Sequence, residues 1–283
     1  MGNGKGLGAD CRMVANCWLC SGNALTANNV EGFLEDTLDN LTGKMIGLLR
    51  ADTGFYQKTI LDHLEDPQRP IPYIIAARLH GPVQRMLAAH RQWVKVEDGI
   101  EVASVLYAAN GWGKESRMVM ARQRISRRPK ATDKVLKLFA DDVETKDYRY
   151  GCFVTSLELP AHLVWKLYRM TADAENRIKE LEYDCGADSF NMQSLSATET
   201  AMNCVMLAYN LMSLFRQAVL CNKVQPTLKT MRYKVFAAGD YLIKEGNKRI
   251  LKLCIAMRRR QLFEGLWGKS KDFDLPASFT SHL

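Results

Sequence analysis

Most short patterns that mark a familiar chemistry are missing from this chain. There is no G-x-G-x-x-G and no Walker loop, so nothing in it marks a dinucleotide or nucleoside-triphosphate site. There is no G-x-S-x-G and no H-E-x-x-H, which removes two common hydrolase signatures. His63, His80, His90 and His162 show no clustering. The start, Met1-Gly2-Asn3-Gly4-Lys5-Gly6, lacks the apolar core of a signal peptide. The uncharged run between Glu199 and Arg216 is short for a bilayer span and is broken by Asn203 and Asn210, so it reads as a buried core helix. The eight Cys are scattered, several in apolar runs, as reduced buried thiols are. Cys17-Trp18-Leu19-Cys20 has no second pair at zinc-ligand spacing. These absences point to a cytoplasmic protein without a membrane partner.

What is present is ordinary in amount and uneven in placement. At 283 residues, 47% apolar and 25% charged, the chain has the composition of a globular protein with a real core. Net charge is +8, but residues 114–137 hold nine Lys/Arg against Glu115 and Asp133, and residues 223–260 hold eleven against Asp240 and Glu245. A mildly acidic body with two basic segments is the footprint of a polyanion partner such as DNA, or of two solvated basic surfaces.

The pattern along the chain is α/β interrupted by β. Residues 1–12 are a Gly-rich lead. Within 13–90, Met13 to Leu19 predicts a short strand, and Ala27 to Leu41 a helix with Thr26 as N-cap. Met45 to Ala51 predicts a strand covered on both faces, Tyr56 to Leu64 a helix, and Ile71 to Ala77 a second buried strand. Residues 91–158 predict a β-rich block, with strands at Gln92–Glu97, Ile100–Ala108, Arg117–Gln123 and Tyr148–Ser156. In 159–222, His162 to about Tyr183 predicts one long amphipathic helix, and Thr198 to Cys221 the core helix. The basic segment 223–283 predicts a helix from Thr227 to Phe236, a short helix or strand, and an element over Arg249–Trp267.

Two acidic residues stand out. Asp52 sits at the C-terminal end of an apolar strand in Leu48-Leu49-Arg50-Ala51-Asp52-Thr53-Gly54-Phe55, the edge where open α/β sheets bind ligands. It is either a metal ligand or a cap of the following turn through Asp-x-Gly chemistry. Glu175 lies on the predicted long helix, where Tyr168, Thr171, Glu175, Lys179 and Glu182 share one face. That stripe is either a solvated face or a metal ligand with a phosphate-binding Lys beside it. Two such carboxylates without a nearby nucleophile or His base suggest divalent metal and phosphate-ester chemistry.

The order strand, Arg50-Ala51-Asp52-x-Gly54-Phe55, helix, strand, β insertion, then Tyr168 and Glu175-Asn176-Arg177-Ile178-Lys179-Glu180 on a helix, resembles the DDE transposases of bacterial insertion sequences. Within these it is similar to the group with a β-rich insertion between the second Asp and the Glu. Trp18 to Asn23, Ala208-Tyr209-Asn210-Leu211 and Thr230-Met231-Arg232-Tyr233-Lys234 extend the likeness, so it covers about residues 13 to 267. The family pattern around the Glu is Tyr, two residues, Arg, three residues, Glu, six residues, Lys. Tyr168 and Glu175 match it, whereas Thr171 stands at the Arg position and Glu182 at the Lys position.

The resemblance implies an RNase H-like mixed sheet with flanking helices, a β-rich insertion and a helical C-terminal part. It implies two divalent metals, Mg²⁺ or Mn²⁺, held by acidic residues that here include Asp52 and Glu175. DNA, as element ends and target, is the implied partner, contacted through Tyr168, Arg177 and Lys179, with Lys179 the better placed of the two cations. A homodimer is consistent with action on paired ends. Trp93 or Trp112 would either stack on a base near the cut or be buried in the β block. The family's first Asp is not found: upstream of Glu31 the only acidic residue is Asp10, and there is no room for two further strands. The expectation is thus a truncated transposase, inactive alone. The alternatives are a non-catalytic DNA-binding or dimerising remnant, and an unrelated α/β enzyme with a β insertion.

Overall fold

A computed structural model describes residues 12–19, 29–41, 43–109, 111–124, 148–169, 172–221 and 226–271. The chain divides into two units, Cys20–Ala174 and Met1–Leu19 together with Glu175–Leu283. In the first unit, helix α1 (Val30–Asn40) carries Val30, Leu34 and Leu38 four residues apart, and all three are buried. Asn29 stands at its cap position; Thr26, the expected cap, lies outside the described residues. Strands β1 (Leu49–Ala51) and β2 (Tyr73–Ala76) pair in parallel, Leu49 with Tyr73 and Ala51 with Ile75. Between them in the chain runs α2 (Lys58–Leu64), which buries Ile60, Leu61 and Leu64.

The expected strand over Met45 to Ala51 shrinks to its last three residues. Met45 is 97% exposed, while Ile46 and Leu48 are half-buried against the core clusters from outside the strand. Helix α3 (Gly81–Ala89) is an addition to the expected elements. Its signal was Pro82 in the first turn, with Val83 and Leu87, both buried, one turn apart.

Strands β3 (Val94–Glu97), β4 (Ile100–Tyr107), β5 (Ser116–Arg124) and β6 (Tyr148–Thr155) fall within two residues of the expected ends. They pair antiparallel in sequence, and β6 then pairs antiparallel with β2, Ile74 opposite Thr155. The result is one mixed sheet of six strands, ordered β1-β2-β6-β5-β4-β3. The β3–β4 turn passes through Gly99, whose φ of +72° suits a residue without Cβ.

Alternation along β4, β5 and β6 gives the sheet two apolar faces. Ala103, Met118, Met120, Cys152 and Val154 join a cluster with residues of α1, α2 and α3. Val102, Val119, Ala121 and Phe153 join Val164 and Trp165 of α4 (Ala161–Arg169). The sheet therefore has helices on both faces, as a mixed α/β layer requires.

The second unit is mainly helical. Residues 12–19 form no strand, contrary to expectation; the Asn210 side chain serves the backbone instead. Asn210 Oδ1 accepts from the Val14 N–H at 2.7 Å and its Nδ2 donates to the Val14 carbonyl at 2.9 Å. Helix α5 (Ala172–Cys185) follows α4 in the chain, with residues 170 and 171 outside the described set. Helix α6 (Leu195–Phe215) begins where Ser194 Oγ accepts from the Ala197 N–H, and continues as a π turn over Arg216–Leu220. It is a core helix on one side only: Met202, Tyr209 and Ser213 are buried, while Leu207 and Leu211 are exposed.

Helix α7 (Leu228–Met231) is capped by Thr227 and runs into a second π turn over Arg232–Phe236. Strands β7 (Gly239–Glu245) and β8 (Lys248–Cys254) then form a separate two-stranded sheet, and α8 (Met257–Lys271) follows. The expected single element at Arg249–Trp267 is thus a strand and then a helix. No described helix is long and apolar enough to cross a membrane.

Candidate active site

Asp52 occupies the place its sequence implied, immediately after β1 at the C-terminal end of the parallel pair. Its backbone is extended, and its Oδ1 accepts from the Gly54 N–H at 2.9 Å, capping the 3₁₀ turn Thr53–Phe55. The capping role read from Asp-x-Gly is therefore real. It engages one carboxylate oxygen, and the side chain is exposed.

Two arginines frame this edge. Arg78, two residues beyond β2, donates from Nε to the Thr53 carbonyl at 3.2 Å, which brings a guanidinium to the turn beside Asp52. Sequence reasoning missed it; its signal was a cation just past the second parallel strand. Arg50, on β1, donates from Nη1 to the Leu167 carbonyl in the last turn of α4 at 2.7 Å. A cation at a helix C-terminus is favourable electrostatically. This bond ties the strand that precedes Asp52 to the helix that carries Tyr168.

Tyr168 itself is half-buried, its ring 4.3 Å from that of Phe153 between centroids, within the cluster under α4. Trp93 and Trp112 are engaged in packing too. The Trp112 ring packs on that of Tyr56 at 4.9 Å between centroids, tilted by 52°, and Trp93 lies under the Arg122 guanidinium at 4.4 Å with Tyr150 at its edge.

The other three expected residues lie on α5, in the second unit. Glu175 is in its first turn and a half; its side chain is outside the described set. Arg177 faces inward, its Nη1 3.4 Å from the Tyr209 hydroxyl, whereas Lys179 is exposed. Asp52 and Tyr168 thus belong to one unit, and Glu175, Arg177 and Lys179 to the other.

The residue of this motif that sequence reasoning overlooked is Glu180. It takes a bidentate bond from Arg216, at 2.9 and 2.6 Å, a third from the Leu228 N–H at 2.8 Å, and a fourth from the Tyr209 hydroxyl at 3.3 Å. Burial opposes its charge, yet the bonds from Arg216, Leu228 and Tyr209 prevail and hold the carboxyl below its usual value. Glu180 so joins α5, the end of α6 and the start of α7.

As a ligand, Asp52 offers a hard oxygen with one lone oxygen atom outside the turn, which suits Mg²⁺ or Mn²⁺. Among the described residues no three His, Cys, Asp or Glu gather around one point, so Asp52 fits as one ligand and not as a complete site. Asp10 and Cys20 lie outside the described residues.

The edge after β1 thus carries an exposed Asp that caps a turn, with Arg78 bonded to that turn and Arg50 bonded to the end of α4. Residues 9–270 match the family described as transposase DDE domain group 1, and the chain belongs to that family. Comparison with curated proteins gives no match. The mixed six-stranded sheet and its helices agree with the RNase H-like fold of DDE transposases. Membership carries DNA transposition as the general function, nuclease and strand-transfer chemistry as its class, DNA as partner, and a general use of divalent metals.

Proposed function

We propose that this chain carries two of the acidic residues of a two-metal DNA-cutting and DNA-joining site, Asp52 and Glu175. The observation that carries the reading is Asp52 itself, exposed at the C-terminal end of a parallel strand with one oxygen left over. Divalent ions bound there would supply an activated water or 3′-hydroxyl and stabilise the leaving oxygen at a DNA phosphate. The Gly54 bond holds the Asp52 carboxylate toward its own turn, which lowers the ordering cost of presenting its other oxygen. Arg78 holds a phosphate beside it, anchored through Thr53. Lys179, exposed on the same helix as Glu175, contacts the DNA backbone, with Arg177 and Tyr168 as supporting residues. In this reading residues 13–90 and 159–222 supply the acids, and 91–158 form the insertion.

We assign two of the three carboxylates that such a site needs, so this chain by itself is expected to bind DNA and to cut it negligibly. The test is incubation with DNA carrying the element ends, with Mg²⁺ or Mn²⁺. Gel shifts that survive chelation and vanish at high salt, without cleavage, are the expected result. Cleavage that Asp52→Ala abolishes would overturn the inactivity while keeping the site. Absence of any DNA binding at low salt would overturn the reading as a whole.

A further inference from the structure

The two-stranded sheet β7–β8 is left with apolar side chains in solvent. Its turn, Gly246-Asn247, is the two-residue hairpin type, with Gly246 at φ +59°. Leu242 is 62% exposed and its cross-strand partner Leu251 52%, and Tyr241 and Leu253 are exposed as well. A lone hairpin is marginal in water and gains stability from a third strand. Each strand has one neighbour, so each has an unpaired edge among the described residues.

The two edges differ in charge. Along β8 stand Lys248, Arg249 and Lys252 with no acid, and such an edge repels a copy of itself. Along β7 stand Asp240, Lys244 and Glu245. An antiparallel pairing of β7 with a second β7, centred on Leu242, sets Asp240 opposite Lys244 twice. It also sets Tyr241 opposite Ile243 twice, and Leu242 opposite Leu242. Alternation in a strand puts Asp240, Leu242 and Lys244 on one face, and Tyr241 and Ile243 on the other, so each pair meets on its own face. Opposite charges and aromatic with β-branched residues are the favourable cross-strand pairs. The register is two-fold symmetric, as a self-complementary dimer interface must be.

We infer that β7 is a self-association edge, and that a second copy of this chain docks on it to make a four-stranded sheet. The exposed Leu242–Leu251 pairs of the two copies then become neighbours on one continuous apolar face. This pairing needs neither metal nor DNA, so it stands whether or not the carboxylates act as proposed above.

The test is sedimentation velocity of the full chain across the micromolar range, with circular dichroism as the check on folding. The parent chain is expected to form a dimer as concentration rises. Asp240→Lys places like charges opposite each other at two symmetric sites and weakens the dimer by roughly tenfold. Lys244→Asp does the same by the opposite sign. The double variant Asp240→Lys/Lys244→Asp restores the parent's association, and mixing the two single variants yields heterodimers. A parent that stays monomeric, or a dimer that ignores both single changes, or a double variant that stays weak, overturns the inference. So does Asp240→Lys tightening the binding of a labelled DNA duplex with no change in mass, which would assign the hairpin to nucleic acid.

Discussion

Removing the Glu180 carboxylate is the sharpest perturbation of the helical unit. The Arg216 side chain is 2% exposed and Glu180 11%, and two short bonds join them. In Glu180→Ala the guanidinium stays buried with no counter-charge, and the Leu228 N–H at the start of α7 loses its acceptor. Breaking a buried pair from one side costs about 3–5 kcal/mol, mostly the desolvation of the abandoned charge. The double variant Glu180→Leu/Arg216→Met removes both charges and is expected to recover most of that loss. Urea unfolding followed by circular dichroism reads both, with the helical unit giving most of the signal. The sign with pH follows from the lowered carboxyl. Its stabilisation is present above the ordinary value of 4.5 and is lost as pH falls through the lower folded value. The parent therefore loses stability on acidification below that point more steeply than Glu180→Gln. A loss under about 1 kcal/mol for Glu180→Ala, or a double variant no better than the single, would mean that the buried charge pair does not hold the helical unit together.

Two further outcomes are expected. Lys179→Ala, at an exposed position, should leave stability within about 0.5 kcal/mol and lower the slope of log affinity against log salt for duplex DNA by about 0.9; an unchanged slope removes Lys179 from the interface. Burial pushes the Cys152 thiol up to about 12, while Cys204, Cys221 and Cys254 are exposed. Alkylation of the native chain at mildly basic pH, read by mass spectrometry, should label those three and spare Cys152. Equal labelling would contradict the burial.

The sheet was the legible part of this fold. In β5 and β6 the centres are continuous apolar runs, Met118–Ala121 and Cys152–Val154, because successive side chains face helices on opposite sides of the sheet. Met45 to Leu48 misled because apolar composition does not say whether a strand pairs there: Ile46 and Leu48 pack on the core, but the ladder begins at Leu49. Met13 to Leu19 misled because its backbone is served by the Asn210 amide, almost two hundred residues away. The β7–β8 hairpin was within reach: Gly246-Asn247 between two short β-branched and leucine-rich runs is a hairpin signal.

At the site, Asp52 was legible because a strand end followed by Asp-x-Gly is local chemistry. Arg78 was not, since its value depends on β2 lying parallel to β1. Glu180 was hidden for the same reason. From sequence it belongs to a run of charges on a helix, and only the fold brings Arg216 and Leu228 to it.

Asp52 and Glu175 are proposed to hold divalent metal for DNA chemistry. Manganese binding to the DNA-bound chain, followed by electron paramagnetic resonance, tests it most directly. Parent protein is expected to take up Mn²⁺ that both Asp52→Asn and Glu175→Gln release, with circular dichroism unchanged. Uptake by both variants equal to the parent's would contradict the claim.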